Sequence, residues 1–312
     1  MTEPTGDLDA AAGATGATAL SAVPAGLEAV VEAGGERVHL TDTGRPDGPT
    51  LLITNGLGGA GFDWRAVVER LSGAYRIVLL DRPGLGLSPA AQAPPSLRRD
   101  VAVLADVAAW TGGPVTVLAH SMGGFHAEAL ARQWPALVSA LVLVDPSYEA
   151  DARPPAVRFA TLAAPVAQAA GSALGATGLL RLAGPAGRRF AMRFTSSVPD
   201  ATPDAEVRAV YGRGTVLGTM LTENIAYREM AADLAGLRER LPFPPVPLVV
   251  LTALGDVDGD KARREWASGH ARLAAMTPLG RQVELTDSLH MVQIDRPDAV
   301  ADAVAAVHEG RA

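Results

Sequence analysis

The chain has 312 residues, 48% hydrophobic and 20% charged, enough apolar surface for one large domain or two modest ones. A net charge of -7 and the lack of any Lys/Arg run argue against nucleic acid as a partner. With no cysteine, disulfides, thiolate catalysis and cysteine-based metal sites are excluded, and the expected compartment is the cytoplasm.

Residues 1–24 are rich in Ala, Gly and Thr, acidic at the start, and without a signal-peptide pattern. They read as a disordered tail. LEAVVEA and ERVHLTDTG then suggest an opening antiparallel pair. PTLLITNG is a continuous apolar run ending in a turn, as a strand buried on both faces requires. FDWRAVVERLSG has helical spacing, and YRIVLLDRPG is the next buried strand. SLRRDVAVLADVAAW predicts a helix capped by Ser96, and PVTVLAHS a strand running into a tight turn. MGGFHAEALARQW is helical and ALVLVDPS a further buried strand.

From 147 to 240 the strand signal stops and an Ala-rich helical segment, broken by Pro and Gly, takes its place. It reads as an insertion over the sheet, dividing a core of 25–146 and 241–312. Within it, Phe159 to Leu180 carries no charge and has the length of a membrane span. Its prolines, glycines and Ala-rich composition instead predict a buried or lid helix pair and no integral span. Alternation resumes with strand VPLVVLTAL, helix KARREWASGHARLAAM, strand RQVELTD and a terminal helix in PDAVADAVAAVHEG. Strands alternating with helices imply a mainly parallel sheet with right-handed crossovers.

The chemistry concentrates at Ala119-His120-Ser121-Met122-Gly123, between a strand and a helix. A nucleophile elbow needs small residues two before and two after its serine, because the turn is too sharp for larger ones. Ala119 and Gly123 meet that need. The motif also delivers Ser121 to a helix N-terminus, where backbone N–H groups favour developing negative charge. The alternative is an ordinary helix-capping serine.

Four segments occur in order: NGLGG at 55–59, DRPGLGLS at 81–88, AHSMGG at 119–124 and LH at 289–290. Together they resemble the α/β-hydrolases that carry a helical cap. The resemblance spans about residues 27 to 310. It implies a mostly parallel eight-stranded sheet flanked by helices, with 147–240 as the cap. It also implies that the backbone N–H groups of Leu57 and Met122 form an oxyanion hole. Asn55, Ala119 and Leu289 depart from the commoner His, Gly and Gly. The DRPGLGLS loop is expected to be structural, and no dinucleotide or phosphate fingerprint is complete.

Of six histidines, His39 is expected on a strand surface, His120 beside the serine, and His126, His270 and His308 on helices. His290 alone follows the last strand and matches the family's base position. For the acid, Asp256 stands at the family's usual offset, with Asp145 and Asp258 as alternatives. These roles imply a serine hydrolase cleaving an ester-like bond of an uncharged, fairly hydrophobic small molecule, with no metal or organic cofactor. Cap residues are expected to line the space above Ser121. Carbon–carbon bond hydrolysis by the same triad, and a non-catalytic ligand-binding homologue, are the other readings. Homodimer formation is left open by the sequence.

Overall fold

A computed structural model describes residues 28–150, 152–153 and 157–309; the 1–24 stretch lies outside them. The strands are β1 (Glu28–Ala33), β2 (Glu36–Gly44), β3 (Thr50–Thr54), β4 (Arg76–Asp81), β5 (Val115–His120), β6 (Val138–Val144), β7 (Leu248–Ala253) and β8 (Gly280–Leu285). They form one sheet in the order β1-β2-β4-β3-β5-β6-β7-β8. β2 runs antiparallel to β1 and β4, and every other pairing is parallel. β5 and β7 are buried along their whole length and mainly apolar because both faces are covered.

The flanking helices are α1 (Arg65–Leu71), α2 (Leu97–Trp110) and α3 (Gly123–Gln133) before β6, and α8 (Asp260–Ala274), α9 (Val292–Asp295) and α10 (Pro297–His308) after β7. α2 and α3 bury Leu104, Val107 and Leu130 on one face of the sheet. α1 and α10 bury Val67, Val300 and Val304 on the other. Ser96 begins α2 by accepting the Arg99 N–H at 3.2 Å.

β3 lies between β4 and β5, so the chain reverses its direction of travel across the sheet there. The crevice outside the carboxyl ends of β3 and β5 is the place where such sheets bind ligands. Both the 55–59 loop and Ser121 emerge into it.

Between β6 and β7 stand four helices: α4 (Phe159–Ala176), α5 (Leu179–Thr195), α6 (Asp204–Tyr211) and α7 (Gly214–Arg240). α4 packs on α7 through glycines spaced four apart, Gly171 and Gly175 against Gly214 and Gly218. A Cβ at Gly171 would stand 2.2 Å from the Gly214 carbonyl oxygen and 2.8 Å from the Gly218 nitrogen. The backbones therefore meet directly, as in small-residue helix packing.

Candidate active site

β5 is fully buried, and its last residue His120 passes the chain to Ser121 at φ 52°. That left-handed conformation is strained for a residue with a side chain. It is held by the Ser121 N–H donating to the Val144 carbonyl at 3.1 Å, and by the Gly124 and Ser147 N–H groups donating to the Ser121 carbonyl. Gly123 is needed here because a Cβ would lie 2.8 Å from the Asn55 carbonyl oxygen.

The 55–59 loop abuts the serine: a Cβ on Gly56 would lie 2.8 Å from the Ser121 Cβ. Among the described residues, the N–H groups of Leu57 and Met122 donate to no protein acceptor. Asn55 accepts the Trp64 indole N–H at 2.7 Å and so anchors the base of the loop. Arg82, fully buried, donates to the Gly56 carbonyl at 2.7 Å and is ion-paired with Glu223 of α7. Glu223 in turn accepts from the Gly58 N–H at 3.4 Å. Tyr211 donates its hydroxyl to the Gly58 carbonyl at 2.9 Å.

His290 follows β8 and joins its Nδ1 to Asp145 Oδ2 at 2.6 Å. The preferred sequence candidate was Asp256, and here the structure differs. Asp145 leaves β6 at φ 41°, and its other oxygen accepts from the Ala253 N–H at 3.0 Å and the Trp266 indole at 3.1 Å. These bonds fix a buried carboxylate on the imidazole. Asp256 is exposed and accepts instead from the His290 backbone N–H at 3.2 Å. Its position past β7 brings it to the main chain of this loop rather than to the ring. Asp258, also exposed, lines a cleft of about 1030 Å³ together with Asp145, Asp256 and His290, and does not bond to the histidine.

Burial disfavours the charged imidazole of His290, but the Asp145 hydrogen bond and charge, with Asp256 adding, leave its pKa raised above 6.5. Burial also raises the Asp256 pKa, with help from the Asp145 charge.

Of the other histidines, His120, His39 and His270 have structural hydrogen-bond partners. His120 is buried, its Nε2 donating to the His290 carbonyl at 3.0 Å and its ring 4.6 Å from the His290 ring. Burial and the neighbouring His290 hold its pKa well below the usual value, so it stays neutral. His39 is buried rather than on a surface, because its Nδ1 meets Asp81 at 3.1 Å. Asp81 also accepts from the Gly61 and Leu87 N–H groups, which gives the 81–88 loop its structural part. His270 bridges the Pro146 carbonyl and Thr252. Trp266 and His270 of α8 support the Asp145 turn and were not legible as site residues. A Trp-x-x-x-His spacing on one helix face marks any amphipathic helix.

The apolar side chains of the insertion divide between solvent and the site. Leu162, Val166 and Leu182 point to solvent. α7 reaches the loop beside Tyr211 of α6, and its Met220 lies so close that a Cβ on Gly58 would meet its methyl at 2.7 Å. Among the described residues, no three His, Asp or Glu side chains are grouped as a metal ion would need.

A strained serine at the switch point of this sheet, an adjacent glycine-rich loop and a histidine–carboxylate pair define an α/β fold of the hydrolase type. The sequence pattern of the alpha/beta hydrolase family matches residues 51–303, and the chain belongs to that family. It is 36% identical over 105 residues to the magnesium-chelatase 30 kDa subunit of Rhodobacter capsulatus, covering 30% of this chain and 34% of that one. It is 35% identical over 98 residues to the pimeloyl-(acyl-carrier protein) methyl ester esterase of Aeromonas hydrophila subsp. hydrophila, covering 31% and 37%. The chain thus aligns with about a third of the length of these curated relatives. The crystal structure of the enol-lactonase from Burkholderia xenovorans LB400 superposes with a TM-score of 0.61 at 22% identity, over 90% of this chain and 100% of that one. That likeness is one of fold.

Proposed function

We propose that this chain is a serine hydrolase that cleaves an ester-like bond of an uncharged, fairly hydrophobic small molecule through an acyl-enzyme on Ser121. The observation that carries the reading is the 2.6 Å contact of His290 Nδ1 with Asp145, on the loop after the last strand. It fixes the imidazole tautomer with the proton on Nδ1, which leaves Nε2 as the base.

In the proposed reaction, Ser121 Oγ attacks the carbonyl carbon while His290 Nε2 takes its proton. Asp145 stabilises the imidazolium and stays ionised. The free N–H groups of Leu57 and Met122 receive the oxyanion, each worth on the order of 3 kcal/mol in the transition state. Collapse of the tetrahedral intermediate expels the leaving group, which takes the proton from His290. Water, activated by the same nitrogen, then releases the acid and restores Ser121. Helices α4–α7 act as the cap, and Leu57 and Met220 place apolar side chains at the 55–59 loop beside Ser121. The substrate reading follows from those side chains and from the esterase among the relatives. The reaction can run in a cytoplasmic monomer or a homodimer, because all the named groups come from one chain.

A fluorophosphonate probe is expected to label Ser121, and short p-nitrophenyl esters to be turned over. Ser121→Ala and His290→Ala are each expected to lower turnover by roughly four to six orders of magnitude. Folded protein that binds the ester saturably without labelling or turnover would replace this reading with a ligand-binding one.

A further inference from the structure

We propose that helices α4 and α5 form a docking face for an anionic lipid membrane, on which the protein lies without spanning it. The observation is an inversion of side-chain size. α4 turns its small residues, Ala160, Ala164 and Gly171, inward against α7. It turns its large apolar residues outward, Phe159 at 58% exposure, Leu162 at 66% and Val166 at 70%. A helix stabilised by packing in water places its large apolar side chains inside. α5 continues the pattern with Leu182, Phe190 and Phe194 exposed, the two phenylalanine rings stacked edge to face at 5.1 Å. These six large apolar side chains, exposed on two consecutive helices, mark an interaction surface.

The charge identifies the partner. Residues 157–199 hold five arginines, Arg158, Arg181, Arg188, Arg189 and Arg193, and no acidic residue, within a chain of net charge -7. Arg158, Arg188 and Arg189 are paired with aspartates of the chain. Arg181 and Arg193 are exposed and make no ion pair among the described residues. Apolar side chains flanked by unpaired arginine are the composition that binds acyl chains beneath phosphate head groups. A second copy of the chain fits less well, because a two-fold contact would bring this patch, with its uncompensated arginines, against itself. α4 is the one described helix long and apolar enough to cross a bilayer. Its inner face is already packed on α7, so it presents one side only and lies in the interface plane.

The test is flotation of the full chain with vesicles of phosphatidylglycerol and phosphatidylcholine in equal parts, against pure phosphatidylcholine. The protein is expected to float with the mixed vesicles and to be released by high salt. Arg181→Ala/Arg193→Ala is expected to bind about thirtyfold more weakly. Leu162→Glu/Val166→Glu is expected to stay in the aqueous fraction with its circular dichroism and thermal midpoint unchanged, since both sites are exposed. The proposal is overturned if the wild-type chain fails to float with either vesicle, or if the glutamate variant floats as well as wild type. A dimer detected by light scattering and dissolved by the same glutamates would assign the face to a second copy and also overturn it.

Discussion

His290 receives two carboxylates at different atoms, Asp145 on the ring and Asp256 on the main chain. Both raise its pKa, so the neutral base is lost as pH falls through a value above 6.5. The acid limb of kcat/KM for a p-nitrophenyl ester is therefore expected above pH 6.5. Asp145→Asn removes the hydrogen bond to the ionised ring and the larger charge, so the limb moves to lower pH and the maximal rate falls by roughly 10^4. Asp256→Asn moves the limb in the same direction by less, with a smaller loss of rate. A limb shifted more by Asp256→Asn than by Asp145→Asn would reverse the two assignments. The sequence left this choice open for a physical reason. Both aspartates follow buried parallel strands, β6 and β7, which end side by side at one edge of the sheet. Which of them faces the ring depends on the path of residues 286–290, fixed by contacts such as Leu289 N–H to Asp295 and Gly255 N–H to the Ser288 carbonyl. The second of these joins distant segments, and the first rests on a side chain beyond the loop, so neither gives a recognisable sequence pattern.

At the scale of elements, the core strands and helices were legible because each carries a local signal. β3, β5 and β7 are mainly apolar runs without polar alternation, and α2 has a serine cap and an apolar stripe. The insertion was legible as helical, but its orientation was not. An Ala-rich helix without charge has no polar face to say which side meets the protein, and in α4 the glycine contacts with α7 decide it. The Arg82–Glu223 pair was equally hidden, since its members are 141 residues apart and neither belongs to a motif of the other. This pair couples α7 to the 55–59 loop. Glu223→Ala would leave Arg82 buried without its ion-pair partner, at a cost of about 3–5 kcal/mol. It would also free the Gly58 N–H and unsettle the Leu57 peptide. Chemical denaturation is expected to show the loss of stability. Turnover of the residual folded enzyme is expected to show a lower kcat with KM less affected. An unchanged denaturation midpoint would show that the pair does not hold the loop.

Over the whole molecule, the insertion touches both halves of the candidate site. Glu223 and Tyr211 bind the 55–59 loop, while the Thr195 carbonyl accepts the Met291 N–H at 2.7 Å and the Ser196 hydroxyl donates to Asp295 at 2.6 Å, beside His290. A displacement of α4–α7, by a surface or by substrate, is therefore expected to reach the 55–59 loop and the His290 loop together. The core beneath is tightly packed, with β5 fully buried between the largely buried β3 and β6. That packing bears on the two residues at positive φ. His120 and Val144 are register partners in adjacent strands, so Ser121 and Asp145 are the next residues out, each bent into a conformation that glycine adopts freely. Each bend costs of order 1–3 kcal/mol, borne by the folded state alone. Ser121→Gly is thus expected to melt about 2 °C or more above wild type in a thermal scan while turning over nothing; a lower midpoint would show that the turn is unstrained. Selection for thermal endurance alone would drift both positions toward glycine. A serine and an aspartate at these two positions thus give up robustness in exchange for a hydroxyl and a carboxylate at the ends of adjacent strands.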